Sequence, residues 1–483
     1  MESDLPLTPL GATLAVLAAV LITLLPRRMA MMPILVAVCF LPAGQSLQIA
    51  GLHFYLFRLV LLAALTRVLV RGEVRSIRWC LLDTLMFWWM AAFVVFGSLS
   101  RPGWASFITQ GGTTFDWLIS YIVVRSLLRD RNDFILQIRF LAIMIIPLAA
   151  AMIVERATGR NLFAVLGGVA EISALRDGKV RAQGAFKHSI LAGTVGATLL
   201  PLMIGLIRTR NRRLRWSGVV GSFCAALIVW AAASSGPLLA AWGCIAAFCI
   251  WGLRHSLRLV RVGLLLIVLI LQAGMNRPVW WIFDAVGDFA GGTGWHRSYI
   301  IDAAIRHWDE WWLIGTSRTV HWGGFGPPVN DPNNVDITNE YIAQAVHGGT
   351  LTLCLFLAIL WTCFKRLGSA FRAKRGSIEP ETEWLAWCTG VALLAHCISF
   401  FSISYFDQTI FYFFWLLSAI AVGTREQTWL ICDQPVRSVR RAGGLSGGGA
   451  GHGVKRPGAI RGVRRTLSPA SLYTDRGSHS GAS

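Results

Sequence analysis

Charge is what this sequence has least of. Only 14% of its 483 residues are Asp, Glu, Lys or Arg, where a soluble chain of this length carries about a quarter. The deficit is mostly acidic, with 25 Asp and Glu against 45 Lys and Arg. That shortage, set against 55% hydrophobic residues in unbroken stretches, excludes an ordinary water-soluble domain, because each stretch approaches the roughly 20 residues that cross a bilayer core. The alternating pattern of a β-barrel is also missing, so the spans must be helices, since lipid offers backbone groups no other partner. No Walker-type phosphate loop, catalytic serine elbow or zinc-binding motif occurs, and the chemistries that depend on them are not expected. The first apolar stretch follows Glu2 and Asp4 and has no basic segment before it, so no cleavable signal peptide is expected.

The ten cysteines lie almost wholly inside apolar stretches, without metal-ligand spacing or a pair of loop positions suited to a disulfide. They read as small membrane-core residues. The formal charge of +20 would point to nucleic acid in a soluble chain. Here the basic residues fall in loops and in a tail, where attraction to anionic lipid headgroups accounts for them, and no nucleic-acid partner is expected.

The pattern predicts an all-α fold, a polytopic transmembrane helix bundle of about 12–13 spans. The stretches are Leu10–Leu25, Ala30–Gly51, Phe54–Val70, Trp79–Leu99, Thr109–Leu128, Phe134–Val154, Ser189–Ile207, Trp216–Ala233, Pro237–Leu253, Leu259–Ala273, Ile342–Cys363, Trp384–Ser404 and Thr409–Val422. Basic residues follow every odd-numbered stretch: Arg27 and Arg28, then Arg71 to Arg78, Arg129 and Arg131, Arg208 to Arg215, Arg254 and Arg258, and Lys365 to Arg375. If the spans alternate, all of these share one side, which the positive-inside rule makes the cytoplasm. The N-terminus is then periplasmic, the C-terminus cytoplasmic, and the expected location is the inner membrane of a bacterium. The membrane domain covers residues 1–424. The Gly-, Ser- and Arg-rich remainder, 425–483, is expected to be disordered, since it cannot bury enough apolar surface to offset ordering entropy.

Two long connections fall on the outer side, Glu155–His188 and the larger one spanning 274–340, which is expected to contain short helices. Within the second, Tyr299, Ile300, Ala303, Ala304, Trp308, Trp311 and Trp312 recur at helical spacing between His296 and Leu313. That stripe fits an amphipathic helix at the membrane surface, or simply a face that packs the loop onto the bundle. Ionisable residues inside apolar stretches are costly. Arg58, Asp83, Asp116, Arg139, Arg261 and His396 are of this kind, with Arg125 and Asp407 near stretch ends. They suit buried pairs, a wet cavity, or side chains that snorkel to headgroups.

The outer connections carry two further patterns. Arg181-Ala182-Gln183-Gly184-Ala185-Phe186-Lys187-His188 leads straight into an apolar stretch, and Asp336-Ile337-Thr338-Asn339-Glu340-Tyr341-Ile342 leads into another that carries Gly348-Gly349. Together they resemble the O-antigen ligase and polymerase superfamily, bacterial membrane glycosyltransferases with an RxxGxFxH segment before a middle span and a large periplasmic loop ending in an [HT]NxYL-type motif. Arg181, Gly184, Phe186, His188, Asn339 and Tyr341 carry the match, and Ser404-Tyr405-Phe406-Asp407-Gln408 is similar to an outer turn of exopolysaccharide members. Two positions depart. Thr338 stands where the ligases have a histidine, and Ser234-Ser235-Gly236-Pro237 lacks the arginine of a Ser-Arg turn. Both departures lean towards a polymerase or exopolysaccharide member.

The resemblance implies transfer of glycan from an undecaprenyl-pyrophosphate donor at the periplasmic face, with the lipid bilayer and other polysaccharide assembly proteins as partners. A pyrophosphate leaving group needs fixed positive charge more than a proton, and arginine supplies it through a planar, permanently charged fork. Arg181, Arg297 and Arg318, with Lys187, are the candidates for pyrophosphate and glycan binding, alongside Asn339 and Tyr341. His188, His321 and Glu340 are the candidate bases for the incoming hydroxyl, with His296 also available. The residues show no local metal-ligand cluster, so an inverting, metal-independent enzyme without a cofactor is expected. Gly291-Gly292, Gly323-Gly324 and Gly348-Gly349 read as turns or close packing. The competing readings are a secondary transporter or lipid-linked-glycan flippase, and a non-catalytic assembly partner. A transporter predicts related halves and matched broken spans, which the sequence does not show.

Overall fold

The computed structural model describes residues 8–49, 52–285, 294–323, 333–371 and 379–423. The predicted disordered tail 425–483, Gly291, Gly292, Gly324 and the basic residues Arg372, Lys374 and Arg375 lie outside the described residues. The chain is helical with little strand, in the order α1 (Pro9–Leu24), α2 (Arg27–Phe40), β1 (Ser46–Ile49), β2 (Leu52–Tyr55), α3 (Leu56–Val70), α4 (Leu81–Ser100), α5 (Trp104–Leu127), α6 (Arg131–Thr158), β3 (Leu175–Arg176), β4 (Lys179–Val180), α7 (Ser189–Ile207), α8 (Arg212–Ala231), α9 (Ser235–Cys249), α10 (Leu257–Gly274), α11 (Gly294–Arg306), α12 (Glu340–Ala370), α13 (Pro380–Ser399) and α14 (Thr409–Gly423). Each of the thirteen apolar stretches is built on a helix. Among the described residues, six helical runs are long and apolar enough to cross a membrane: α4, α6, α7, α8, the joined run Ser235–Gly274 and most of α12.

The second stretch is the largest departure from the sequence pattern. It was expected to run to Gly51, but α2 stops at Phe40 and the chain turns through Pro42 and Gly44 into an antiparallel hairpin pairing Ser46 with Tyr55 and Ile49 with Leu52. Proline has no amide hydrogen to continue a helix, and Gln45 is buried, donating from Nε2 to the Leu166 carbonyl and accepting from the Thr8 amide.

α7 is the central helix, buried along nearly its whole length. It is apolar but rich in small residues, and these let its neighbours approach closely. A Cβ on Gly196 would lie 2.8 Å from the Ala225 carbonyl oxygen of α8, and one on Gly193 would lie 2.7 Å from Pro237 of α9. A second packing centre is aromatic, with Trp89 and Trp117 stacked 4.8 Å apart and Phe356, Phe400 and Phe413 in edge contact nearby.

Ion pairs gather the loops after α1, α5, α7 and α9 at one end of the bundle. Arg27 and Arg28 pair with Asp133, Arg131 with Glu379, Arg210 with Glu381, and Arg254 with Glu383. These are the loops that the basic pattern placed on a common side. Of the charges inside apolar stretches, Arg58 pairs with Asp116 at 2.6 Å and Arg125 with Asp83 at 2.7 Å. Arg125 is therefore a buried partner, not a side chain reaching for headgroups.

Candidate functional site

At the opposite end, the connection between α6 and α7 is organised by one acid. Glu155, fully buried near the end of α6, accepts hydrogen bonds from the amides of Gln183 and Gly184 at 2.9 Å and from the Ser173 hydroxyl at 2.7 Å. Asn161 donates to the Gly184 carbonyl, the Ala182 amide reaches the Ala231 carbonyl, and Gln408 donates to the Ala185 carbonyl. The segment that the sequence singled out as Arg181 to His188 is thus lashed to α6, to the end of α8 and to the turn before α14.

This fixes Arg181 beside the turn between α8 and α9, where its Nη2 donates to Ser234 Oγ at 2.8 Å. Arg297, from the first turns of α11 in the other long connection, donates to Ser235 Oγ at 2.9 Å. Two arginines from separate loops therefore converge on adjacent serines at the N-terminus of α9. Both are buried, at 9% and 5% exposure, and among the described residues neither has an ion pair with a carboxylate. Ser402 packs against Gly236 of the same turn. Its Oγ, like Arg181 Nε, is buried without a hydrogen-bond partner among the described residues. Burial pulls Arg181 below the ordinary arginine range, and the neighbouring Arg176 guanidinium adds to the effect. The same two causes bring Arg297 down to about 10. The turn that lacks its own arginine receives two through space, and their charge is desolvated and repelled by that of Arg176. An anion would relieve both effects.

His188 is the N-cap of α7, its Nδ1 accepting the Ile190 amide at 3.1 Å. Burial, then Arg181 and Arg176, push it down to about 4, so it is neutral at ordinary pH. A neutral imidazole that accepts at Nδ1 carries its proton on Nε2. His188 is therefore a hydrogen-bond donor towards any ligand, and the geometry does not suit it to the base role expected from sequence. Lys187 uses its amide on Asp407 Oδ2 at 3.2 Å, and its ammonium lies 5.4 Å from the Tyr55 ring centroid.

The Asn339–Tyr341 segment serves structure. Asn339 caps α12 through the Ile342 amide, and Tyr341 donates to the Cys397 carbonyl. Glu340 accepts from the Tyr405 amide on one oxygen and from Gln344 on the other, while its own amide donates to the Phe400 carbonyl. With one hydrogen bond accepted on each oxygen and the residue buried, Glu340 bolts the α13–α14 turn to the start of α12.

Arg318 is exposed and apart from these contacts. His321 joins a group that no local spacing revealed. Its Nε2 lies 2.8 Å from Glu310 Oε1, and His307 Nδ1 lies 2.9 Å from the same oxygen. His296 is buried with Nε2 at 3.2 Å from the Asp336 carbonyl. The aromatic stripe divides between the two readings. Ile300, Ala303 and Ala304 pack inward with Trp322, Val335 and Val346, while Trp308 and Trp312 are exposed.

No protein-family profile matches the chain, and no curated protein matches it.

Proposed function

We propose that this chain is a multi-pass membrane glycosyltransferase that polymerises or ligates glycan from a polyprenyl-pyrophosphate donor, in the manner of the O-antigen ligase and polymerase superfamily it resembles. The observation that carries the reading is the convergence of Arg181 and Arg297, buried and without carboxylate partners among the described residues, on Ser234 and Ser235. Cations held this way are matched to a dense anion, and the start of α9 adds amide dipoles of the same sign.

In this reading the pyrophosphate oxygens replace the serine hydroxyls as acceptors of the two guanidinium forks. The charge that develops as the anomeric C–O bond breaks meets donors already in place. The Nε2–H of His188 supplies a further donor at the start of α7. Direct attack by the acceptor hydroxyl inverts the anomeric configuration. The active end faces the periplasm, opposite the ion-paired basic end, which faces the cytoplasm.

The test uses the full chain in liposomes with synthetic undecaprenyl-pyrophosphate oligosaccharide, in chelator, beside Arg181→Ala and Arg297→Ala. Longer or transferred glycan with release of undecaprenyl pyrophosphate is expected from the parent, reduced about 10²–10³-fold in each variant. Donor that stays chemically intact but crosses the bilayer would replace the enzyme with a flippase. Intact, immobile donor would leave a binding partner.

A further inference from the structure

α11 ends at Arg306, and the chain then folds a short helical turn, Trp308–Trp311, before it returns through Val320–Trp322. The return places His321 beside the residues just after α11. His307 Nδ1, His321 Nε2 and a Glu310 oxygen lie within 4.8 Å of one another, and the ring centroids of the two histidines are 5.3 Å apart. From these residues we infer a binding site for a transition-metal dication, with zinc the best fit, on the surface of the second long connection.

The chemistry of the set is specific. Two imidazoles and one carboxylate suit a borderline-soft ion, and three protein ligands leave a coordination position for water or another oxygen. The distances also suit it. The 2.8 and 2.9 Å separations now held by hydrogen bonds need to open by only about 0.5 Å to surround an ion at roughly 2.0–2.2 Å from each ligand. Partly exposed side chains can make that adjustment, and the exposures are 32% for His307, 28% for Glu310 and 44% for His321.

The surroundings do what an outer shell does in metal sites, fixing ligand orientation. Trp322 Nε1 donates to Glu310 Oε2 at 3.0 Å and so holds the oxygen other than the one shared by the histidines. The His307 ring stacks on the Trp322 indole, 5.7 Å between centroids and 7° from parallel. Trp322 is itself buried, and its carbonyl accepts the Tyr299 hydroxyl at 2.7 Å, tying the set back to α11. The sequence showed no such cluster because its members come from two turns that meet only in the fold.

The inference is independent of the glycosyl-transfer reading, and its test reads metal binding alone. Tag-free full chain in detergent would be titrated with Zn²⁺ by calorimetry and loaded with Co²⁺ for its visible absorption, beside Glu310→Gln and His321→Ala. The parent is expected to bind about one ion with a low-symmetry Co²⁺ band. Each variant is expected to weaken binding at least ~100-fold and lose the band. His321 is exposed and Glu310→Gln keeps the side-chain shape, so both variants should stay folded, and the parent spectrum stands without them. Equal binding in parent and variants, which would place the ion on His452 or His479 of the tail, overturns the inference, as does a parent that binds no ion.

Discussion

The segment from Gly159 to His188 is organised around one carboxylate, whereas the stretch from Trp312 to Thr316 in the other long connection is pinned by a place where side chains are missing. Glu155 holds the first by three hydrogen bonds to its hydroxyl and amide groups. The second is docked at Gly348-Gly349, where α12 breaks with φ of −143° and +70°. There the backbone of the loop lies directly on the helix. Thr316 donates its amide to the Val346 carbonyl, and Thr350 donates to the Trp312 carbonyl, both at 2.9 Å. A Cβ on Gly349 would fall 2.4 Å from the Leu313 carbonyl oxygen. The polar groups the two segments present differ accordingly. The lashed loop delivers the buried Arg181, which has no ion pair with a carboxylate among the described residues. The docked loop carries the half-buried His307 and the exposed His321, which share Glu310. Arg297 lies in the first turns of α11 and His307 just follows its last residue, about 15 Å further along the axis.

The widest separation of the two tethers should come from Glu155→Ala. It leaves two amides and a hydroxyl buried without an acceptor, each costing about 1–3 kcal/mol, so a total loss of about 3–5 kcal/mol is expected. Thermal unfolding in detergent would register it. Proteolysis would locate it, with new cleavage between Ser173 and Gly184 and none between Trp312 and Thr316. Cleavage in both segments would mean the two loops form a single cooperative unit, and the contrast between them would fail.

Gly349→Ala is the reciprocal experiment, with a somewhat smaller effect. A positive φ costs a residue with a side chain roughly 1–2 kcal/mol, and the Leu313 carbonyl must also move aside. A loss of about 2–3 kcal/mol is expected. Zn²⁺ binding at His307, Glu310 and His321 should weaken with it, while the Arg181 segment keeps its protection in amide exchange. Unchanged stability would show that the helix break exists without the loop docked in it.

Much of this organisation is legible in the sequence. Long apolar runs report helices because few other structures satisfy an apolar backbone, so the thirteen stretches survive as helices even where, as in α2, the boundary fails. What composition cannot tell is which apolar helix faces protein. α7 and α10 are both apolar, yet α7 is buried along nearly its whole length and α10 has no buried residue among those described. The difference lies in Gly193, Thr194, Gly196 and Gly205 against the Leu, Ile and Val of α10, since between membrane helices small residues, more than hydrophobicity, create contact. At the site, Arg181, Arg297 and His188 could be named from loop position and residue type. The convergence of the two arginines on Ser234 and Ser235 could not, because it joins three connections far apart in sequence. Glu155 was readable only as an acid at the edge of an apolar stretch, and nothing local distinguished it from any other interfacial charge.

The finest difference between the loops is a matter of protons. His188 is depressed from 6.5 to about 4 by burial and by Arg181 and Arg176, whereas the His307–Glu310–His321 group has its acid beside it. A histidine whose folded value lies below its unfolded value binds its proton more readily when the chain unfolds. The stability it contributes is complete above about pH 6.5 and drains away as pH falls towards 4. The expected loss across that window is about 3 kcal/mol. Asparagine keeps an N-cap acceptor for the Ile190 amide and does not titrate there. His188→Asn should therefore match the parent at pH 7.5 and overtake it progressively below pH 6, in equilibrium unfolding followed at several pH values. Parallel pH profiles for the two proteins would mean that the imidazole is solvated in the folded chain, and that the positive field around Arg181 is weaker than the geometry of the turn requires.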